Sequence, residues 1–324
     1  MRAVFLDYGS LGPADIDPGP LEHCVADFTL FDNTSPEQVT ERIASAQIVL
    51  VNKVRLTAAE LESAPDLRLI CLAATGTDNV DLQAARRLGI AVCNIRDYCT
   101  DSVAQHVLGL ILALTQQLIP CRELLAAGGW TRSEHFCRLD FPIRELRGKR
   151  LGIVGYGTLG RAVAELARPL GMDVCAARRP YRLDDEDQIT GDPERLGLGR
   201  LLRTADVISL HCPLNDQTRG MIGSQAFELM KPDAVLINTA RGALIDTRAL
   251  PDALRNGQLA GAGIDVLETE PPPPEHPLLT AQLPNLIVTP HIAWAAREAR
   301  QRAVHALAGN IQAFLSGQPI NRVA

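Results

Sequence analysis

At 324 residues, 46% of them hydrophobic, the chain is long enough for two domains and apolar enough to give each a core. A net charge of -6 argues against a nucleic-acid partner, because such binders concentrate Lys and Arg to displace counterions from phosphates. No apolar stretch reaches the roughly 18 residues of a membrane span, and Met1 to Leu6 runs into Asp7 without a signal peptide's apolar core. A cytoplasmic protein with no membrane partner is therefore expected.

Short β-branched apolar runs alternate with helical stretches along the chain. They lie at Ala3 to Leu6, Ile48 to Val51, Leu69 to Ala73 and Ala91 to Asn94, then at Arg150 to Val154, Asp173 to Ala176 and Val207 to Leu210. Ala234 to Asn238, Gly263 to Val266 and Leu286 to Thr289 complete the series. Strands alternating with helices predict a parallel α/β architecture. These strands are too many for one sheet, and the apolar helix Leu108 to Leu118, between the first four and the rest, reads as a hinge. A helix from about Trp294 to Ser316 carries the chain back. The expected fold is α/β, two doubly wound parallel-sheet domains: a substrate domain of residues 1–98 and 293–324, and a dinucleotide-binding domain of 99–292 inserted in it. The tract Pro271 to Pro274 reads as a stiff connector. Cys24, Cys71, Cys93, Cys99, Cys121, Cys137, Cys175 and Cys212 form no CxxC pair, which speaks against a metal site or disulfides and favours small buried hydrophobes.

The run Arg150 to Val154 is followed by Gly155-Tyr156-Gly157-Thr158-Leu159-Gly160 and then by an amphipathic helix start, Arg161 to Ala167. In a strand, turn and helix setting, such glycines allow close approach of the backbone to a pyrophosphate, whose charge meets helix N-terminal N–H groups. The next strand ends at Arg178 and Arg179, where a cofactor lacking a 2′-phosphate would want an acidic acceptor for its ribose. Guanidinium groups suit a phosphate and offer no acceptor, so NADP is expected ahead of NAD.

Three segments each place a polar group just past a predicted strand: Asn238 to Gly242, Asp265 to Glu270 and Thr289 to Trp294. Reduction of a 2-keto acid needs a cation to bind the carboxylate and polarise the keto oxygen, an acid to protonate the alkoxide, and a carboxylate to orient that acid. Arg241, His291 and Glu270 offer that set.

These residues carry a resemblance. Gly155 to Gly160, Leu210-His211-Cys212-Pro213-Leu214, Asn238-Thr239-Ala240-Arg241-Gly242, Asp265 with Glu270, and Pro290-His291 together resemble the D-isomer-specific 2-hydroxyacid dehydrogenase family over the full chain. The resemblance implies a Rossmann cofactor domain inserted in a flavodoxin-like substrate domain. It implies that Arg241 binds substrate, that His291 is the acid/base and that Glu270 hydrogen-bonds the imidazole. It also implies that Cys212, Pro213, Thr239, Ala240 and Asp265 line the cofactor. Ala74 to Asn79, with Thr75 and Gly76, resembles the family loop that grips the substrate carboxylate; Lys53 and Trp294 are further candidates for the substrate. Asn52-Lys53-Val54, Ser102 to His106 and His291 to Trp294 look most like the glycerate dehydrogenase or hydroxypyruvate reductase branch, although Gln105 stands where many relatives carry Glu and Arg178 replaces the branch's usual acid. Hydroxypyruvate or glyoxylate is the expected substrate. Family dimers pack their cofactor domains together, which implies a homodimer with Trp130 near the interface. Two rivals remain: a dinucleotide-sensing co-repressor of the same fold, and a dehydrogenase for D-lactate, 3-phosphoglycerate or 2-ketogluconate.

Overall fold

The computed structural model describes residues 1–184 and 195–324. It divides into two compact units, Met1–Cys99 with Trp294–Ala324, and Thr100–Ala293.

In the first unit β1 (Arg2–Phe5), β2 (Asp27–Leu30), β3 (Ile48–Val51), β4 (Leu69–Leu72) and β5 (Ala91–Cys93) form one sheet in the order β2-β1-β3-β4-β5, every pair parallel. This is the flavodoxin-like order. Alternation along the strands divides the core between two faces. Val4, Val49, Ile70 and Val92 pack with Val39, Ile43, Leu61 and Ala84 on one side. Phe5, Leu50, Cys71 and Cys93 pack on the other against Ala303, Val304, Leu307 and Ile311 of the helix Arg297–Leu315. The returning helix thus covers a sheet face that would otherwise be bare, which is why the carboxyl-terminal segment belongs to this unit.

Just past β1, the buried carboxylate of Asp7 accepts the backbone N–H groups of Asn52, Lys53 and Val54, beyond β3, at 2.8, 2.6 and 3.1 Å. The Asn79 side-chain amide then donates to the carbonyls of Asn52 and Val54, at 3.3 and 2.9 Å. Three loops at the carboxyl end of the sheet are tied together by these five bonds.

The second unit holds β6 (Arg150–Val154), β7 (Asp173–Ala177), β8 (Arg195–Leu196), β9 (Val207–Leu210), β10 (Val235–Asn238), β11 (Gly261–Ile264) and β12 (Leu286–Val288). Among the described residues they form a parallel sheet in the order β12-β11-β10-β9-β6-β7-β8, the Rossmann order with one strand added. The helix expected as a hinge is longer and is a core element of this unit: it spans Thr100–Thr115 and packs on β10, β11 and the helix Thr158–Ala167. Gly261 and Gly263 let it come close, since a Cβ on either would lie 3.1 Å from Leu114 or Leu110. Gln117, at φ +56°, breaks it from the helix Leu118–Ala126, bent 57° away. Among the described residues no single helix is long and apolar enough to cross a membrane.

The strand expected at Gly263 to Val266 starts two residues earlier and ends at Ile264, so Asp265 stands outside it. β2 and β8 were not expected: β2 is a half-buried edge strand without an apolar run, and β8 has two residues. Of the eight cysteines, all free, Cys71, Cys93, Cys175 and Cys212 are buried and the other four half-buried, so the expectation of burial holds fully for half of them.

Removal of the Asp7 carboxylate leaves three amides without their acceptor. Asp7→Ala is expected to destabilise the chain by about 2–4 kcal/mol in urea unfolding; parental stability would mean that water replaces the carboxylate without cost.

Candidate active site

The glycine loop follows β6, and its three glycines serve different ends. Gly155, at φ +103°, lies where a Cβ would be 2.4 Å from the Cys212 nitrogen, so it lets the loop abut the chain leaving β9. A Cβ on Gly160 would lie 2.3 Å from the Gly155 carbonyl oxygen, so this glycine seats the helix Thr158–Ala167 against its own strand. Gly157 caps that helix in an extended conformation that any residue adopts, and nothing lies within 4 Å of a Cβ placed on it. The fold itself has no use for a glycine there. Bare backbone and open space beside helix N-terminal N–H groups suit a pyrophosphate, so the loop fits a dinucleotide. Tyr156 and Leu159 are half-buried beside it and Thr158 is exposed.

A cleft of about 390 Å³ opens beside this loop, lined among others by Tyr156, Gly157, Arg178, Arg179, Arg195 and His211. Burial pushes the His211 imidazole down to about 4, so it is neutral; its Nε2 lies 2.8 Å from Ser209 Oγ, and its buried Nδ1 has no partner among the described residues. Burial pushes the neighbouring Cys212 thiol up to about 11, which keeps it protonated and inert.

The second part of the site is built at the carboxyl ends of β10, β11 and β12, three adjacent strands. Asp265 follows β11, and its fully buried carboxylate accepts the Thr289 hydroxyl at 2.5 Å and the N–H groups of Ile292 and Ala293, each at 2.9 Å. Its backbone carbonyl accepts the His291 N–H at 2.8 Å. The Thr289 proton is spent on Asp265, so His106 Nε2, 3.1 Å from Thr289 Oγ1, donates to that oxygen. The segment around His291 is thereby held, with His291 itself at φ +55°.

From this loop His291 places Nδ1 2.5 Å from Glu270 Oε2, while Glu270 Oε1 accepts the Leu267 N–H at 2.8 Å. Both carboxylate oxygens are used, one to fix Glu270 and one to fix the imidazole. A proton on Nδ1 directed at Glu270 fixes the orientation of the ring. Glu268 steadies the same loop: it accepts from Thr247 Oγ1 at 2.6 Å and pairs with buried His276 at 3.2 Å across the proline tract.

Arg241 follows β10. Buried Asn238 ties its turn together, donating to the Arg241 carbonyl at 2.9 Å and accepting from Ala240 N at 3.0 Å. The guanidinium donates to the Ala240 carbonyl at 2.8 Å. A Cβ on Gly242 would sit 2.0 Å from the Leu267 carbonyl carbon, so the backbone beyond Arg241 lies against the loop that carries Glu270. Thr239 places a buried hydroxyl there that has no partner among the described residues. Glu270 and His291 are in contact, and Arg241 stands on the adjoining loop.

In the first unit Lys53 is exposed on the loop gripped by Asp7, and Thr75 donates its hydroxyl to the Ile95 carbonyl at 3.0 Å with half-buried Gly76 beside it. Trp294 packs against the core of that unit. No group of three or more metal-ligating side chains occurs among the described residues. Sequence reasoning missed His106, Thr289, Glu268, His276 and Arg195. The first two lie in segments already singled out, but each acts through a partner remote in sequence.

A family model for the D-isomer specific 2-hydroxyacid dehydrogenase NAD binding domain matches residues 108–293. The chain is 43% identical over 323 residues to a glycerate dehydrogenase of Methylorubrum extorquens, covering 99% of this chain and 98% of that one. It is 38% identical to a hydroxypyruvate reductase of Blautia hydrogenotrophica, over 100% and 99% of the two chains. Among solved structures, an acyclic imino acid reductase in complex with NADPH and D-arginine matches with a TM-score of 0.85 at 29% identity, over 100% of both chains.

The glycine geometry separates two variants. Gly157→Ala is expected to keep the parental melting temperature and to weaken dinucleotide binding by about tenfold or more, whereas Gly160→Ala is expected to lower the melting temperature. Equal behaviour of the two would refute the division. His211 makes stability depend on pH: unfolded, it takes up a proton near about 6.5, but folded only near about 4. Stability is therefore lost as pH falls between those values, because the unfolded state binds more protons there. The change in urea midpoint between about pH 7 and about pH 5 should shrink in His211→Gln.

Proposed function

The chain belongs to the D-isomer specific 2-hydroxyacid dehydrogenase family, and from that premise we propose that it reduces hydroxypyruvate or glyoxylate with NADPH, giving D-glycerate or glycolate. The observation that carries this reading is the 2.5 Å contact of His291 Nδ1 with Glu270, on a loop anchored by Asp265 in the same unit as the open glycine loop. A nicotinamide dinucleotide, when bound, supplies the hydride.

The protein's own groups supply the rest. The Arg241 guanidinium takes the substrate carboxylate and polarises the keto oxygen. His291 gives its Nε2 proton to that oxygen as negative charge develops on it, and Glu270 holds the ring's orientation through Nδ1. Thr75, Gly76, Lys53 and Trp294 are assigned to substrate contacts from the first unit. Gly155 to Gly160, Cys212, Pro213, Thr239, Ala240 and Asp265 are assigned to the cofactor, with Arg178 and Arg179 at a 2′-phosphate. The NADPH complex of the related reductase is consistent with that choice.

A cytoplasmic homodimer paired through the cofactor units completes the proposal. Beyond the helix Leu118–Ala126 the chain exposes Trp130, Phe136, Leu139 and Ile143, at 51%, 90%, 84% and 54%. Such a run of bare apolar side chains calls for a covering surface.

A panel of 2-keto acids assayed with NADPH and NADH tests the function. Hydroxypyruvate and glyoxylate should lead with NADPH; a lead for another acid would move the substrate, and oxidation of neither cofactor by any acid would favour a dinucleotide-sensing protein. His291→Ala is expected to cut kcat by about a thousandfold, and Glu270→Gln by about a hundredfold, with cofactor affinity nearly unchanged. Parental turnover in His291→Ala would remove that residue from the chemistry.

A further inference from the structure

The helix Thr100–Thr115 grips the segment that carries His291 at both ends. His106 Nε2 donates to Thr289 Oγ1 at 3.1 Å, and Ser102 Oγ donates to the Ala293 carbonyl at 2.7 Å. Ser102 and His106 are four residues apart, so they lie on one face of the helix, one turn from each other, with Cβ atoms about 6 Å apart. Thr289 and Ala293 are also four residues apart, and an extended chain of that length would span about 13 Å. Both ends reach the pair because the chain between them turns back. His291 is where it turns: it stands at φ +55°, with its N–H shared between the carbonyls of Asp265 and Thr289 at 2.8 and 3.0 Å.

A histidine in the left-handed region is disfavoured by its own Cβ and stays there only where its surroundings impose it. Asp265 imposes part of that, accepting the Thr289 hydroxyl and the N–H groups of Ile292 and Ala293. An ionised carboxylate only accepts, so the oxygens of the same segment, Thr289 Oγ1 and the carbonyl of buried Ala293, need donors from elsewhere. His106 and Ser102 are those donors. Ala293 is the last residue of the second unit, so nothing further along the chain holds the segment within that unit.

We infer that Ser102 and His106 are positioning residues for the proton transfer proposed above, holding Thr289 and Ala293 so that His291 keeps its left-handed turn with Nδ1 at Glu270. This rests on the reading of His291 as the acid and adds to it a pair of side chains from a remote helix.

Ala and Leu are strong helix formers, so Ser102→Ala and His106→Leu remove the donors and keep the helix. His106→Gln restores an N–H donor as far from Cβ as Nε2. In hydrogen–deuterium exchange of the full chain without ligands, the amides of His291, Ile292 and Ala293 should exchange about tenfold faster in Ser102→Ala and in His106→Leu, and at the parental rate in His106→Gln. With NADPH and whichever of hydroxypyruvate and glyoxylate the wild type reduces, kcat should fall about tenfold in the first two variants and recover in His106→Gln, with NADPH affinity within about twofold throughout. Added to His291→Ala, neither substitution should cost more than about twofold in kcat, because a positioning residue acts through the group it positions. Parental exchange in Ser102→Ala and His106→Leu overturns the hold, and faster exchange with parental kcat overturns its part in the chemistry. The same loss repeated on His291→Ala shows an effect that bypasses His291 and overturns the inference as well, and failure of Gln to restore exchange and kcat overturns the donor role of His106. A wild type that oxidises NADPH with neither acid overturns the reading of His291 and the positioning role with it, a failure told apart from the others because exchange is read without substrate.

Discussion

The catalytic half of this protein depends on one buried carboxylate. Asp265 stands one residue past β11 and takes its hydrogen bonds from the chain leaving the neighbouring strand: the Thr289 hydroxyl and the Ile292 and Ala293 amides. A charge in that position is tolerable only because each bond is short and charge-assisted, and the cost of breaking them is correspondingly high. The result is a fixed path for residues 289 to 293, with His291 at positive φ and its side chain delivered to Glu270. Asp265 orders the backbone that carries His291 without touching its imidazole.

The same economy runs through the adjoining loops. Glu270 is held by Leu267 N, Glu268 by Thr247 and His276, and the Arg241 turn by Asn238. Gly242 lets the Arg241 loop close on Leu267, where any side chain would force them apart. Each group assigned to the chemistry in the proposed function is therefore oriented by a neighbour outside that set. This is the arrangement proton transfer requires, since misplacement by a fraction of an ångström weakens it.

How much of this the sequence showed follows from the range of each signal. Strands buried on both faces, such as Ile48–Val51 and Val207–Leu210, announce themselves as apolar runs, and a parallel sheet then puts the residue after each run at the binding edge. Arg241, Glu270 and His291 could be placed beyond strand ends from the sequence for that reason. β2, half-buried at an edge, and β8, two residues long, carry no such run, and the placement of Arg195 opposite Ala176 is hidden with β8. His106 is 183 residues from Thr289, and no local pattern records that contact. The helix Thr100–Thr115, read from its apolarity as a hinge, starts at the boundary of the two units and also packs in the core of the second, which apolarity alone does not reveal.

Both units have a topological switch point, the place where strand order reverses and open α/β sheets bind ligands. In the first unit it lies between β1 and β3, and the amides of Asn52, Lys53 and Val54 there are taken by Asp7, an anion the chain supplies to itself. In the second it lies between β6 and β9, where the loop keeps an uncovered Gly157 and the surrounding side chains are Arg161, Arg168, Arg178, Arg179 and Arg195. A chain of net charge -6 thus places five arginines around one loop. Two sheets of related winding thus differ in one respect: one switch point is closed by its own carboxylate, and the other presents the bare glycine loop of the segment matched by the NAD binding domain family.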